Sequence, residues 1–401
     1  MERKHYLDHL RAFLMFLGIP YHTAMIYSTN TDWLVSSVET SFLLTWVFQF
    51  THTFRMPAFM IISGFFAMMM IRKQGDAVWL RSRFFRLGVP LVSVALLVNP
   101  WQMLARALAV PDVPDGGAPD AWRNWLSLLS SPGGHWIEQL WFLADLLIYS
   151  TVLALGWRYG AKLRLGSLCN AGLDLIGRDR KSAVLALILT GTGVIAAATA
   201  GSMLDLNILL SGMIQTIRTV AFAPFFLLGA ALAYRPEWLD RFTTIHWPAG
   251  IAAAAACLIL TLVEPREEPV YKAASYFLTP VAGILSAHVL LCAARRWFNH
   301  ANTLTRRMAD ASMDVYLFHM VFVCWFGLLF TSTSWPVMGE FALIVIGTTI
   351  ASFGVHALVR RSETLRFLFN GVSSSGVSAN GMSRSDRSRE RRCVRGLQNG
   401  P

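Results

Sequence analysis

The chain has 401 residues, of which 54% are apolar and only 15% charged, and its mean hydropathy is +0.46. A soluble protein would carry nearer a quarter charged residues, so a large soluble domain is excluded. The net charge of +11 is no nucleic-acid signal, because the basic residues fall where orientation in a bilayer requires them.

The apolar residues come in blocks of about twenty, the length that crosses a membrane as a helix. Ten spans are predicted, at 9–28, 42–71, 87–107, 136–157, 182–200, 207–233, 247–263, 271–294, 311–331 and 338–359. The fold class is therefore all-α, a polytopic membrane helix bundle. With the N-terminus in the cytoplasm, 28 Lys and Arg fall in inner segments, 3 in outer ones and 4 (Arg11, Arg55, Arg106 and Arg218) within spans. That asymmetry obeys the positive-inside rule and puts both termini in the cytoplasm. Residues 1–370 form one transmembrane domain. The Ser/Gly-rich and then Arg-rich stretch 371–401 reads as a disordered basic cytoplasmic tail beside acidic lipid.

The first span, YLDHLRAFLMFLGIPYHTAMIY from Tyr6 to Tyr27, carries Asp8, Arg11 and His22. No cleavable signal peptide is expected from so early and so charged a span. On one continuous helix Arg11 and His22 share a face, about 16 Å apart along the axis. Asp8 stands three residues before Arg11, where the two can pair. Ionisable groups in a span usually face the bundle interior and mark function. Snorkelling to the headgroups would account equally for Asp8 and Arg11, but His22 lies too deep.

The second span holds His52 and Arg55 at i and i+3, then Pro57 and Ser63-Gly64, where a kink or break is predicted. A cation placed there needs a partner or an anionic ligand. Arg81, Arg83 and Arg86 precede the third span; orientation signal explains them, and a phosphate clamp of guanidinium forks is the alternative. The outer loop 108–135 contains VPDVPDGGAPD and then AWRNWLSLL, a stretch suited to the interface. His135-Trp-Ile-Glu138-Gln139-Leu-Trp141 opens the fourth span from outside. Its Trp residues suit an interfacial belt, and Glu138 suits either solvent or a polar substrate. Tyr316 and His319 lie in the ninth span.

Three intramembrane histidines, His22, His52 and His319, invite chemistry. They offer no metal set, since no tight pair spacing links them. The five cysteines are not spaced as a zinc site, and no structural disulfide is expected. There is no P-loop, dinucleotide fingerprint or nucleophile elbow.

LDHLRAFLMFLGIPYH resembles the opening of the integral-membrane acyltransferases of acyltransferase family 3, with Arg11 and His22 in the family's Arg–ten residues–His signature. HTFRMPAFMIISGFF, RSRFFRLGVPL, LWFL, APFFLLGAAL and VYLFH resemble later family blocks, in order, over most of residues 6–330. GIPYHTAMIYS and HTFRMP are most similar to the branch that succinylates osmoregulated periplasmic glucans. Gln139 departs from the family pattern, which has His just before LWFL.

The resemblance implies a multi-pass protein of the bacterial inner membrane. It would move an acyl group, succinyl in that branch, from cytoplasmic acyl-CoA to hydroxyls of a periplasmic glucan, with no tightly bound cofactor. His22 would be the general base, a task its ordinary pKa of about 6.5 suits, with Arg11 and His52 assisting. His52 and Arg55 would stabilise the oxyanion or hold a succinyl carboxylate. Arg83 and Arg86 would meet the phosphates of the donor. Asp8, Ser63, Glu138, Trp141, Tyr316 and His319 complete the expected substrate-binding set, with His319 orienting or relaying. Membrane lipid is the other expected partner, and nucleic acid is not one. A transporter or exporter of acylated sugar, its His and Arg lining a path, is the alternative from another class. A scaffold for other glucan enzymes is a third. The acyl group, the sugar, direct transfer against an acyl-histidine, and the oligomeric state are all left open by the residues.

Overall fold

A computed structural model describes residues 4–109, 121–160, 165–204, 208–209, 212–263, 268–331, 333 and 335–372. The centre of the long outer loop, 110–120, and the basic tail from 373 onward lie outside the described residues. The chain is an all-α helix bundle. Among the described residues eight helices are long and apolar enough to cross a membrane, or nine if α12 (Pro236–Phe242) and α13 (Trp247–Val263), bent by 75°, form one span.

Nine of the ten predicted spans therefore have counterparts, and the first departs. Tyr6–Tyr27 is not one straight helix but two short ones, α1 (His5–Phe16) and α2 (Gly18–Ile26), meeting at Leu17. Pro20 is the cause: it has no N–H for the carbonyl of Phe16, and its ring crowds that turn. The turn hydrogen bonds on either side, Leu17 to Phe13 and Tyr21 to Leu17, persist at 2.9 and 3.2 Å.

The second span is α3 (Phe42–Gln74), which runs unbroken through Pro57, Ser63 and Gly64 where a break was a candidate. It survives because the helix just past Pro57 is held by close backbone packing. Gly64 meets the backbone of Phe226, and Gly229 that of Ile61: an added Cβ would stand 2.8 Å from the Phe226 and 2.7 Å from the Ile61 carbonyl carbon. Those residues lie on α11 (Thr216–Tyr234), so α3 and α11 cross at backbone contact, the packing that small residues allow in membranes.

The basic segment 72–86 is helical rather than a loop. Only Gly75 separates α3 from α4 (Asp76–Arg83), which passes through a π-turn (Phe84–Gly88) into α5 (Val89–Leu97) and α6 (Asn99–Leu108). Pro90 lacks the N–H that would close an α-turn on Arg86, which favours the wider turn. AWRNWLSLL forms α7 (Ala121–Ser130), with Trp122 and Leu126 exposed. Two 3₁₀ turns, Gly134–Trp136 and Glu138–Leu140, lead into α8 (Trp141–Gly160).

Then come α9 (Leu165–Gly177) and α10 (Arg180–Met203), whose Val184, Leu185, Ile188 and Leu189 point outward, as a lipid-facing helix requires. The predicted span 207–233 opens instead with a hairpin, β1 (Ile208–Leu209) against β2 (Ile214–Gln215), and only then enters α11. Positive-φ Gly212 sits in its turn, which a continuous helix could not accommodate. The bundle closes with α14 (Pro269–Trp297), α15 (Thr303–Phe330), α16 (Val337–Arg361) and the short α17 (Glu363–Asn370).

Candidate active site

Gly18 and His22 stand four residues, about one turn, apart on α2, facing α3 and α15. Gly18 is required by what packs on it. A Cβ there would lie 2.7 Å from Nη1 of Arg55 and 3.4 Å from Nε2 of His319, so those nitrogens stand within about 6 Å of each other. His22 follows at one helical turn, its ring centroid 5.3 Å from that of His319. Three of the histidine and arginine positions singled out in the sequence thus meet on different helices.

The tautomer of His319 is fixed by its own helix. Nδ1 lies 2.8 Å from the Tyr316 carbonyl and 3.1 Å from that of Val315, so it carries the proton and donates. Nε2 is left as the acceptor in the neutral ring. It is buried and, among the described residues, has no hydrogen-bond partner, as is true of Nδ1 of His22. His22 is flanked on one side by Trp33, stacked at 5.7 Å and 17°.

Arg55 lies over the Tyr21 ring, 4.3 Å from its centroid, and the Tyr21 hydroxyl is 3.1 Å from Nδ1 of His52. The groups facing this guanidinium are the phenols of Tyr21 and Tyr316. No carboxylate pairs with it among the described residues, and its Nε is unsatisfied. A buried cation without a counter-ion is costly to maintain. An anion would supply the missing counter-charge.

Beside this cluster opens a cavity of about 390 Å³, lined by His22, Tyr21, Trp33, Glu138, Trp141 and Arg218 among others. Its wall is a polar network. The Tyr316 hydroxyl donates to the carbonyl of Gln139. The Gln139 amide donates to Oδ1 of Asn99 at 3.2 Å, and the Asn99 amide to the carbonyl of Trp136 at 2.7 Å. Arg106 faces Glu138 at 4.0 Å. Arg218 lies over Trp141 (4.4 Å to the ring centroid) and faces Asp145 at 3.7 Å, whose other oxygen accepts from the Thr219 hydroxyl at 2.8 Å.

The predicted site residues therefore divide into three groups. His22, Glu138 and Trp141 line the cavity, while His52, Arg55, Tyr316 and His319 pack around His22. Asp8 and Arg11 (3.9 Å apart, with Arg11 over Phe66) lie eleven and more residues below His22, at the end where Arg83 and Arg86 also stand. Arg83 lies over Trp79 and feels the charges of Arg86 and Arg11, so these three form one basic rim. Ser63 joins neither group: it is buried beside Gly64 at the α3–α11 crossing and does not line the cavity.

Sequence reasoning passed over Tyr21, Trp33, Asn99, Arg106, Asp145 and Arg218. A signal for two of them was present. Of the four Arg within predicted spans, Arg106 and Arg218 line the cavity and Arg55 lies behind it. Gln139, where the family pattern has His, supplies an amide that holds Asn99.

A family profile described as an acyltransferase domain matches residues 4–357. The chain belongs to acyltransferase family 3. Its curated relatives include the Glucans biosynthesis protein C of Escherichia coli K12, 30% identical over 386 residues, covering 92% of this chain and 95% of that one. The proteins of the same name from E. coli O81 (strain ED1a) and O139:H28 (strain E24377A) match at the same identity and coverage. No solved structure matches. In this acyltransferase family member, the Arg–ten residues–His signature bridges two places: Arg11 on α1 at the basic rim and His22 on α2 at the cavity. Membership makes the chain a multi-pass membrane acyltransferase.

Proposed function

We propose that the protein transfers a succinyl group from cytoplasmic succinyl-CoA to a hydroxyl of a periplasmic glucan, in the inner membrane of a bacterium, with both chain termini in the cytoplasm. The observation that carries this reading is the convergence of His22, His319 and an Arg55 without a carboxylate partner beside a polar cavity. The distribution of Lys and Arg supports an outward-facing cavity and an inward-facing Arg11–Arg83–Arg86 rim. Nucleotide phosphates of the donor meet the rim through guanidinium forks. The pantetheine arm then spans the distance to the histidines.

A sugar hydroxyl entering the cavity attacks the thioester carbonyl as His22 takes its proton. The C–O bond forms, the C–S bond breaks, and the proton passes from His22 to the departing thiolate. His319, with Nε2 free to accept, holds or relays that proton. Arg55 grips the distal carboxylate of the succinyl group, a task for which a fixed guanidinium is suited. His52, held by the Tyr21 hydroxyl, lies near enough to the cluster to stabilise the oxyanion. The acceptor reading draws on the relatives named for glucan biosynthesis.

The test is acyl transfer by purified protein in detergent, given labelled succinyl-CoA and a periplasmic glucan, with acetyl-CoA in parallel. Labelled ester from succinyl-CoA, lost in His22→Ala, is the expected result. Equal ester formation by His22→Ala removes the base assignment. A preference for acetyl-CoA removes the succinyl assignment.

A further inference from the structure

We infer that the C-terminal helix α17 and Gly371 are positioning elements of the donor site, tying the helix that carries His319 to the π-turn that carries Arg86. The inference rests on the donor reading above. At one end of this strut, Asp314, buried on α15 five residues before His319, meets Nδ1 of His356 at 2.5 Å, with the Asn370 side chain in its electrostatic neighbourhood. Phe369 packs edge-on against Phe318, the neighbour of His319, at 4.8 Å. Asn370 and Phe369 are the last two residues of α17, so the helix end is fixed to α15 by the aromatic contact, with Asn370 beside the Asp314 carboxylate.

The other end is one residue further on. Gly371 closes α17 in the left-handed conformation (φ +60), with its N–H on the Phe367 carbonyl at 2.9 Å. Its α-carbon rests on the backbone of the π-turn. A Cβ there would collide with the Phe85 carbonyl and lie 2.7 Å from Cα of Arg86. Backbone is what it meets, and backbone does not swing aside as a side-chain tip does. Any side chain at 371 must push the π-turn, and Arg83 and Arg86 with it, away from α15. The distance from the rim to the histidines has to match the donor's arm, so this contact sets the fit of the nucleotide end and not the chemistry at the thioester.

The discriminating readout is a donor without a nucleotide. In the full-length protein, KM for succinyl-CoA should rise about tenfold in Gly371→Ala, the loss of roughly one charge-assisted hydrogen bond. KM for succinyl-pantetheine should stay within about twofold, with kcat little changed for either donor. Gly371→Asn, which tolerates positive φ but still brings a Cβ, should behave like Gly371→Ala. Asn370→Ala adds no atoms and frees the other end of the strut. It should show the same dependence on donor in smaller measure, and it serves if the Gly371 variants do not fold. An equal rise for both donors, or for neither, overturns the inference. Arg83→Ala separates the two layers of argument. If it does not raise KM for succinyl-CoA over succinyl-pantetheine, the donor reading fails and the strut with it. If it does while Gly371→Ala and Asn370→Ala do not, the strut alone fails.

Discussion

Gly18→Ala separates catalysis from folding at the centre of the site. The added methyl would stand 2.7 Å from Nη1 of Arg55, whereas ordinary carbon–nitrogen contact begins near ~3.4 Å, so the guanidinium must retreat by about 0.7 Å. It is the tip of a flexible side chain, and the retreat is cheap for the fold. Gly18 opens α2 and is not among the glycines with positive φ, so replacing it by Ala lowers the entropy of the unfolded chain by about 0.4–1 kcal/mol, and the variant should be at least as stable as the parent. For the reaction the same shift is expensive. Arg55 is bounded on its other side by the Tyr21 ring at 4.3 Å, and Tyr21 in turn holds His52 at 3.1 Å. A displacement approaching 1 Å at a positioning group lowers rates by up to about 10²-fold. A fall in kcat/KM of between ~10- and ~100-fold is expected, equivalent to roughly 1.4–2.7 kcal/mol. Thermal unfolding in detergent and turnover with labelled succinyl-CoA, measured on one preparation, test this. Full activity in a stable Gly18→Ala protein would refute the placement of Arg55 at the reacting centre.

Other perturbations separate packing from chemistry. Gly64→Ala or Gly229→Ala drives a methyl into backbone across the α3–α11 crossing and should cost ~3 kcal/mol or more, read as lost yield of folded protein or a depressed unfolding midpoint. Asp145→Asn leaves Arg218 facing a neutral amide and should destabilise by about 3 kcal/mol, whereas Asp145→Asn with Arg218→Met should recover much of that; a double-mutant cycle in unfolding measures the coupling. Arg55→Met should depress succinyl-CoA turnover more than acetyl-CoA turnover, and a uniform loss with both donors would remove Arg55 from carboxylate recognition. At the start of α10, Asp179 accepts the Ser182 N–H at 2.7 Å, and that bond holds its carboxyl below the usual range. The cap therefore operates above the ordinary Asp pKa and is lost as pH falls through the lowered value, visible as faster amide exchange at Ser182.

What the sequence made legible depends on how local the physics is. Blocks of apolar residues located nine spans, because crossing a bilayer depends on length and hydropathy alone. The kink at Leu17 was written in Pro20, but the length of the run outweighed it. The π-turn follows from Pro90, yet no periodicity argument registers one extra residue in a turn. Pairings between distant helices were beyond reach. Nothing in sequence couples Asp145 on α8 to Arg218 on α11, which depends on how helices dock, or folds the loop after α2 back to lay Trp33 on His22. Ser63 shows the converse: a motif position taken for a binding group is fixed by the close approach of its neighbour Gly64 to Phe226.

The intramembrane charges make sense as a set. Arg106 and Glu138 face each other in the cavity wall, and Arg218 faces Asp145 behind it, so the wall's carboxylates and guanidiniums offset one another, and what remains are imidazoles, amides, aromatic faces and a few apolar side chains. Such a lining suits an uncharged, hydroxyl-rich acceptor. Arg55, without a carboxylate partner among the described residues, keeps its charge beneath that wall. The rim sets Arg83 and Arg86 beside the Asp8–Arg11 pair at the far end of α1. An uncharged acceptor, an acyl carboxylate and a nucleotide phosphate group would meet these three environments in that order along the bundle. The order also supplies a reason for the broken first helix. The joint at Leu17 divides the signature between α1, which carries Arg11 at the rim, and α2, which presents Gly18 and His22 to Arg55 and His319.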